Sequence, residues 1–128
     1  MALPTTEEHV AAVERELGRL FPAWLRARLM RENGGSLAAG GEYWELRAVL
    51  DTRDRRHAIR SAMHIVRETA VARGWQGFPA DAVAIARNGG GDHLVLLLDA
   101  DCKDAFDEMV YRWQHDSDDG LEPVQVDP

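Results

Sequence analysis

Apolar residues near the start of the chain return at helical spacing, with Val10, Val13 and Leu17 on one face. Thr5-Thr6-Glu7-Glu8 precedes them and reads as a capping box, in which Thr5 caps the free amides and Glu8, three residues on, reaches back. Gly18 is the stop. Pro22 suits the first turn of a second helix with Trp24, Leu25 and Leu29 inward, and Asn33-Gly34-Gly35 tolerate a left-handed C-cap. The period then changes. Residues 42–50 alternate as a strand, with Trp44, Leu46 and Leu50 on one side. Residues 54–73 return to helical spacing through Ile59, Met63, Val66 and Ala70, and Gly74 ends that helix. Beyond Pro79, Val83 and Ile85 alternate, residues 94–98 are continuously apolar, and Met109, Tyr111 and Trp113 alternate again. Three successive strands predict an antiparallel meander. The run at 94–98 suits a strand covered on both faces, by helices on one side and by loops or a partner on the other.

Two short motifs in this second half bear on chemistry. Asn88-Gly89-Gly90-Gly91 stands before an apolar strand, whereas a phosphate cradle needs a lysine and a following helix whose amides converge on the anion. Residues that accept positive φ between two strands predict a hairpin turn instead. Asp99-Ala100-Asp101 follows the strand and resembles the nucleophile loop of haloacid-dehalogenase-type phosphatases. Lys103 departs from that pattern, and too little chain follows to supply the later motifs. A calcium loop fails too: Asp99, Asp101 and Asp104 lack the mid-loop glycine, and Val110 stands where a bidentate carboxylate is required.

Composition narrows the partners. The 128 residues fit a single domain, 1–128, and 45% hydrophobic with 29% charged residues is the balance of a globular protein able to bury its own core. The N-terminus has neither a basic region nor an apolar signal core, and no apolar run is long enough to span a bilayer, so a cytoplasmic protein without membrane association is expected. The net charge of −7 is uneven. Residues 1–75 carry twelve arginines against ten acids, and residues 76–128 carry Arg87, Lys103 and Arg112 against twelve acids. An acidic half disfavours nucleic acid and favours a basic partner, or simply keeps the protein in solution.

Other candidates carry less. His57 and His64, seven apart on one predicted helix, lack a paired carboxylate for a metal site. Cys102 is the single cysteine, read as buried or incidental rather than nucleophilic. Trp44, Tyr111 and Trp113 at strand spacing read as core. Arg53, Arg55, Arg56 and Arg60 read as a solvated helix face. Catalytic residues, cofactor ligands and metal ligands are therefore all expected to be absent.

Taken in order, Leu17-Gly18, the Leu20-Phe21-Pro22 that opens a helix ending in Asn33-Gly34-Gly35, the strand near Trp44, and "IARNGGGDHLVLLLD" at 85–99 give a pattern that resembles the SMI1/KNR4 superfamily, also called SUKH. The resemblance covers about residues 5–115. It implies an α+β fold, an antiparallel β-sheet with helices packed on one side, and no catalytic constellation. Most bacterial members resemble immunity proteins that block a cognate toxin, often a nuclease or deaminase, in the producing cell. Eukaryotic members resemble regulatory or scaffold modules. One departure stands out: the resemblance implies an aromatic-containing helix after the last strand, and residues 120–128 have none, so that helix is missing or replaced.

Charge and resemblance together point to a non-enzymatic binding domain whose protein partner is a basic toxin domain. Asp101, Asp104, Asp116, Asp118, Asp119 and Glu122 are the expected partner-binding acids, placed to mimic the phosphates a basic nuclease contacts. The alternatives are a scaffold or regulatory module without a toxin and, more remotely, a metal-dependent phosphatase using Asp99 and Asp101.

Overall fold

In the computed structural model, which describes residues 2–116 and 120–128, helix α1 (Glu7–Leu17) begins at Thr6 rather than Thr5. The Thr6 hydroxyl accepts the His9 N–H at 3.4 Å, whereas the Thr5 hydroxyl donates to the Asp51 carboxylate at 2.7 Å. Gly18 ends α1 with φ at +79°, its N–H bonded to the Glu14 carbonyl. The Glu14 side chain is buried and accepts the Phe21 N–H at 2.7 Å and Arg26 Nε at 3.1 Å. One carboxylate thus fixes where the first helix stops and the second starts.

Helix α2 (Ala23–Arg31) follows Pro22 and buries Leu25 and Leu29 completely, with Trp24 half-buried beside them. The chain leaving the helix is held by Arg28. That buried guanidinium donates to the backbone oxygens of Glu32, Gly34 (2.8 Å) and Ser36 (3.0 Å). Asn33 has a different role from the predicted cap. Its side chain pairs with both backbone groups of Val49, at 2.9 and 2.8 Å, much as a neighbouring strand would.

Strand β1 (Ser36–Ala39) turns back into β2 (Glu42–Leu46). Trp44 and Leu46 are buried as expected, but the strand stops at Leu46, and Leu50 is exposed rather than sharing their face. The predicted helix over 54–73 is two helices, α3 (Arg55–Arg60) and α4 (Ile65–Ala72). Asp54 caps the first and His64 the second. Between them the Ser61 hydroxyl accepts the Asp51 N–H at 2.9 Å, and the Ile65 N–H reaches the Ala48 carbonyl at 2.8 Å. These ties stop one helix from continuing, so the buried face is Ile65, Glu68, Thr69 and Ala72. Ile59, Met63 and Ala70 are exposed and Val66 is half-buried, contrary to the predicted stripe.

Strands β3 (Val83–Arg87), β4 (His93–Leu98) and β5 (Phe106–Trp113) form the predicted meander. Residues 88–92 form its first turn. Asn88 Oδ1 accepts the N–H groups of Gly90 and Asp92 at 3.0 Å, and Gly91 holds φ at +88°, which favours a residue without Cβ. Main-core residues Leu94 and Leu96 alternate with Val95, which meets Ala82, Trp113 and the half-buried Phe78 on the opposite face. Both faces of β4 are covered, as its continuous apolar run predicts. In β5, Phe106 and Val110 enter the main core, Trp113 the smaller one, and Met109 is 46% exposed. Trp44 and Trp113 therefore belong to different cores and form no single aromatic stripe.

The C-terminal segment supplies the edge that the sequence left open. Strand β6 (Leu121–Val124) pairs antiparallel with β5, and β7 (Val126–Asp127) pairs antiparallel with β1. The sheet order is β6-β5-β4-β3-β2-β1-β7, so one short segment meets both sheet edges and the sheet curls nearly into a barrel. A strand replaces the expected closing helix. The fold is α+β, and no helix among the described residues is long and apolar enough to cross a membrane.

Candidate functional site

The acids singled out in the sequence fall in two groups. Asp101 and Asp104 are exposed in the β4–β5 connection. There the Asp101 N–H donates to Asp99 Oδ1 at 2.8 Å, so Asp99 serves the turn. The loop is pinned to the α1–α2 connection, because the Leu20 N–H reaches the Asp104 carbonyl at 2.8 Å, the Phe106 N–H reaches the Leu20 carbonyl at 2.9 Å, and Arg19 bonds the Lys103 carbonyl. Asp116 is exposed at the other end of β5, and Glu122 is exposed on β6. Asp118 and Asp119 lie outside the described residues. Strand β5 separates the two groups by about 23 Å at ~3.3 Å per residue. They are not one cluster. Asp107 and Glu108 at the start of β5 and Asp127 on β7, which the sequence did not single out, are further acids on the closing strands.

Arg112 is the single base of β5, β6 and β7, and it is committed elsewhere. Its guanidinium donates to Asp92 Oδ2 at 2.7 and 3.2 Å and to Glu42 at 2.9 Å, and it lies over the Trp44 ring at 5.5 Å. Asn88 donates to the same Glu42 at 2.8 Å, and His115 Nδ1 lies 3.0 Å from Asp92 Oδ1. β5, the glycine hairpin and the start of β2 are thereby joined across the curled sheet. Burial alone would raise the Asp92 carboxyl, but hydrogen bonds from Arg112 and His115 outweigh it and hold the group below the ordinary Asp range. Asp92, His115 and Asp116 also place ligand atoms within 4.8 Å of one another. Both Asp92 oxygens are already engaged, however, and the guanidinium supplies the positive charge a metal would bring.

A second network lies under α4. Glu68 Oε1 is 3.3 Å from His93 Nε2 and 3.6 Å from Arg47 Nε, all three residues buried. The His93 hydrogen bond lowers the Glu68 carboxyl against the opposing effect of burial, and Arg47 lowers it further. The remaining candidates separate. His57 pairs with Asp54 at 2.8 Å on α3, and His64 Nδ1 accepts the Arg67 N–H as the cap of α4, so the two imidazoles share no helix face. Arg53 engages Asp51 while Arg55 and Arg56 are exposed. Cys102 is exposed, not buried.

Against known proteins, residues 4–126 match the SMI1 / KNR4 family (SUKH-1). The match takes in the C-terminal strand that closes the sheet. No curated protein and no solved structure matches the chain.

Proposed function

Because the chain belongs to the SMI1/KNR4 family (SUKH-1), we propose that it is a non-enzymatic, cytoplasmic protein-binding domain, an immunity protein that binds and neutralises a cognate polymorphic toxin with a basic nuclease or deaminase domain. The observation that carries this reading is the acidic composition of the closing strands and the loops at their ends. Asp101, Asp104, Asp107, Glu108, Asp116, Glu122 and Asp127 lie there, and Arg112 is turned into its own ion-pair network. Asp118 and Asp119 are proposed as partner-binding acids from the sequence alone. Such a surface repels nucleic acid and attracts a protein that normally grips phosphates. Neutralisation would be steric, with long-range attraction setting the rate of encounter. Sequestration needs no catalytic group, and the Asp99 carboxylate already accepts the Asp101 N–H within its own turn.

The test is co-expression with a toxin domain encoded beside this gene. Growth restored by the wild-type chain, and restored less by a variant with Asp101, Asp104, Asp116 and Glu122 changed to lysine, is the expected result. No protection by the wild type would contradict the immunity reading and favour a scaffold role, which does not require this sign of charge.

A further inference from the structure

The sheet closes imperfectly, and the gap has the properties of a binding groove. β6 leaves β5 after the Val110–Val124 pair, and the chain crosses to β1, where Val126 pairs with Ala39. The first half of β5 is left without a strand on that side. The Met109 N–H accordingly bonds locally to Asp107 Oδ1 at 3.0 Å. Trp24, Glu108, Met109, Val124, Val126 and Pro128 line a groove of about 350 Å³ along this seam, within the range of small ligand pockets. Its walls are largely apolar, and the 46% exposed Met109 sits on one of them.

What surrounds the groove selects its occupant. The strands beside it carry Asp107, Glu108, Glu122 and Asp127, while Arg112 is held by Asp92 and Glu42. On α2, Arg26 is engaged by Glu14 and Arg28 by backbone oxygens, and Trp24 is the residue of that helix that lines the groove. A second copy of this chain docking symmetrically would set acid against acid. An apolar floor with an acidic border matches a basic segment that carries one bulky apolar side chain, the common arrangement of a buried anchor within a charged rim. Methionine adds a wall that adapts to the shape of the anchor.

We propose that this seam receives an aromatic or large aliphatic side chain borne on a lysine- or arginine-rich segment of the protein partner. The proposal rests on the reading that the partner is a basic protein, and it names where and how that partner is held.

The experiment titrates the isotopically labelled chain with the pentapeptide Lys-Lys-Trp-Lys-Lys and follows backbone amide shifts by NMR, with Lys-Lys-Ala-Lys-Lys and Glu-Glu-Trp-Glu-Glu as controls. Expected shifts cluster at Met109, Val124, Val126 and the Trp24 indole, and both controls bind roughly tenfold more weakly or not at all. Met109→Lys should abolish the response. Should that variant fail to fold, Glu108→Lys at the rim carries the same test. Absence of binding, shifts centred elsewhere, equal response to the alanine peptide, or indifference to both substitutions overturns the groove. Neutralisation assays separate this from the functional reading. A Met109→Lys chain that folds and neutralises the toxin as well as the wild type removes the groove but leaves immunity standing. A wild type that neutralises nothing removes immunity, and the peptide titration then decides the groove alone.

Discussion

Replacing Arg112 by methionine keeps most of the side-chain stem and removes the guanidinium that joins β5 to Glu42 and Asp92. The Asp92 side chain, 11% exposed, would be left with His115 alone. Breaking a buried ion pair by deleting one partner costs about 3–5 kcal/mol. The Arg112 side chain is 25% exposed and that of Glu42 36%, and Glu42 retains Asn88, so the expected cost falls lower, at ~2–3 kcal/mol. For a chain of 128 residues this is a fall in Tm of about 10 °C. Asp92→Asn in the same chain removes the stranded charge, so the double variant should recover about 1–2 kcal/mol relative to the sum of the single changes. Urea unfolding of the four proteins at pH 7 measures both quantities. A loss below ~0.5 kcal/mol for Arg112→Met, or simple additivity in the double variant, would refute the view that this network fastens the curled sheet.

Other expectations follow from single contacts. Gly91→Val should cost about 1–2 kcal/mol through its left-handed φ, with a Cβ also only 3.3 Å from the His115 ring, whereas Gly89→Val meets open space and should leave the melting temperature nearly unchanged; equal effects at the two positions would contradict the turn geometry. Glu14→Ala strands the Phe21 N–H and Arg26 and should lower stability by about 2 kcal/mol in thermal melts. Asp51, Glu68 and Asp92 all have folded-state pKa values lowered from the ordinary ones. Their contribution is complete above about pH 5 and is lost as pH falls through the lowered folded values, so urea midpoints should drop below that pH and Asp92→Asn should flatten the fall. Phosphate-ester hydrolysis with magnesium should be undetectable, and turnover that vanishes on Asp99→Asn would overturn the binding reading.

The sequence carried the elements whose signals are local. Apolar periods located α1, α2 and the meander, and residues that accept positive φ located the turn at 88–91, where the structure gives Gly91 the left-handed φ. Between residues 54 and 73 the helical period misled, because Ser61 and Ile65 are tied to backbone around 48–51, and no local propensity announces such a tie. β1 was missed because Ser-Leu-Ala-Ala has weak strand preference and is held by neighbours on both sides, β2 and β7. The same holds for the site. Asp92, Arg112 and His115 meet only once the β4–β5 register is set, so a count of charges along the chain does not reveal their pairing. The binary pattern held one clue: Arg112 occupies the same alternation as Val110, which faces the main core. Equally, acids far apart along β5 looked like one patch in the linear chain.

The most direct measurement of the central claim is the association rate of the toxin domain with the wild type and with the chain carrying lysine at 101, 104, 116 and 122, at low and high salt. Screening acts over a Debye length of about 8 Å at physiological ionic strength, so steered encounter must slow as salt rises. The account predicts a salt-sensitive on-rate for the wild type and a slower, less salt-sensitive one for the reversed chain, with thermal stability unchanged because these side chains are exposed. On-rates that ignore both salt and the reversal would contradict it.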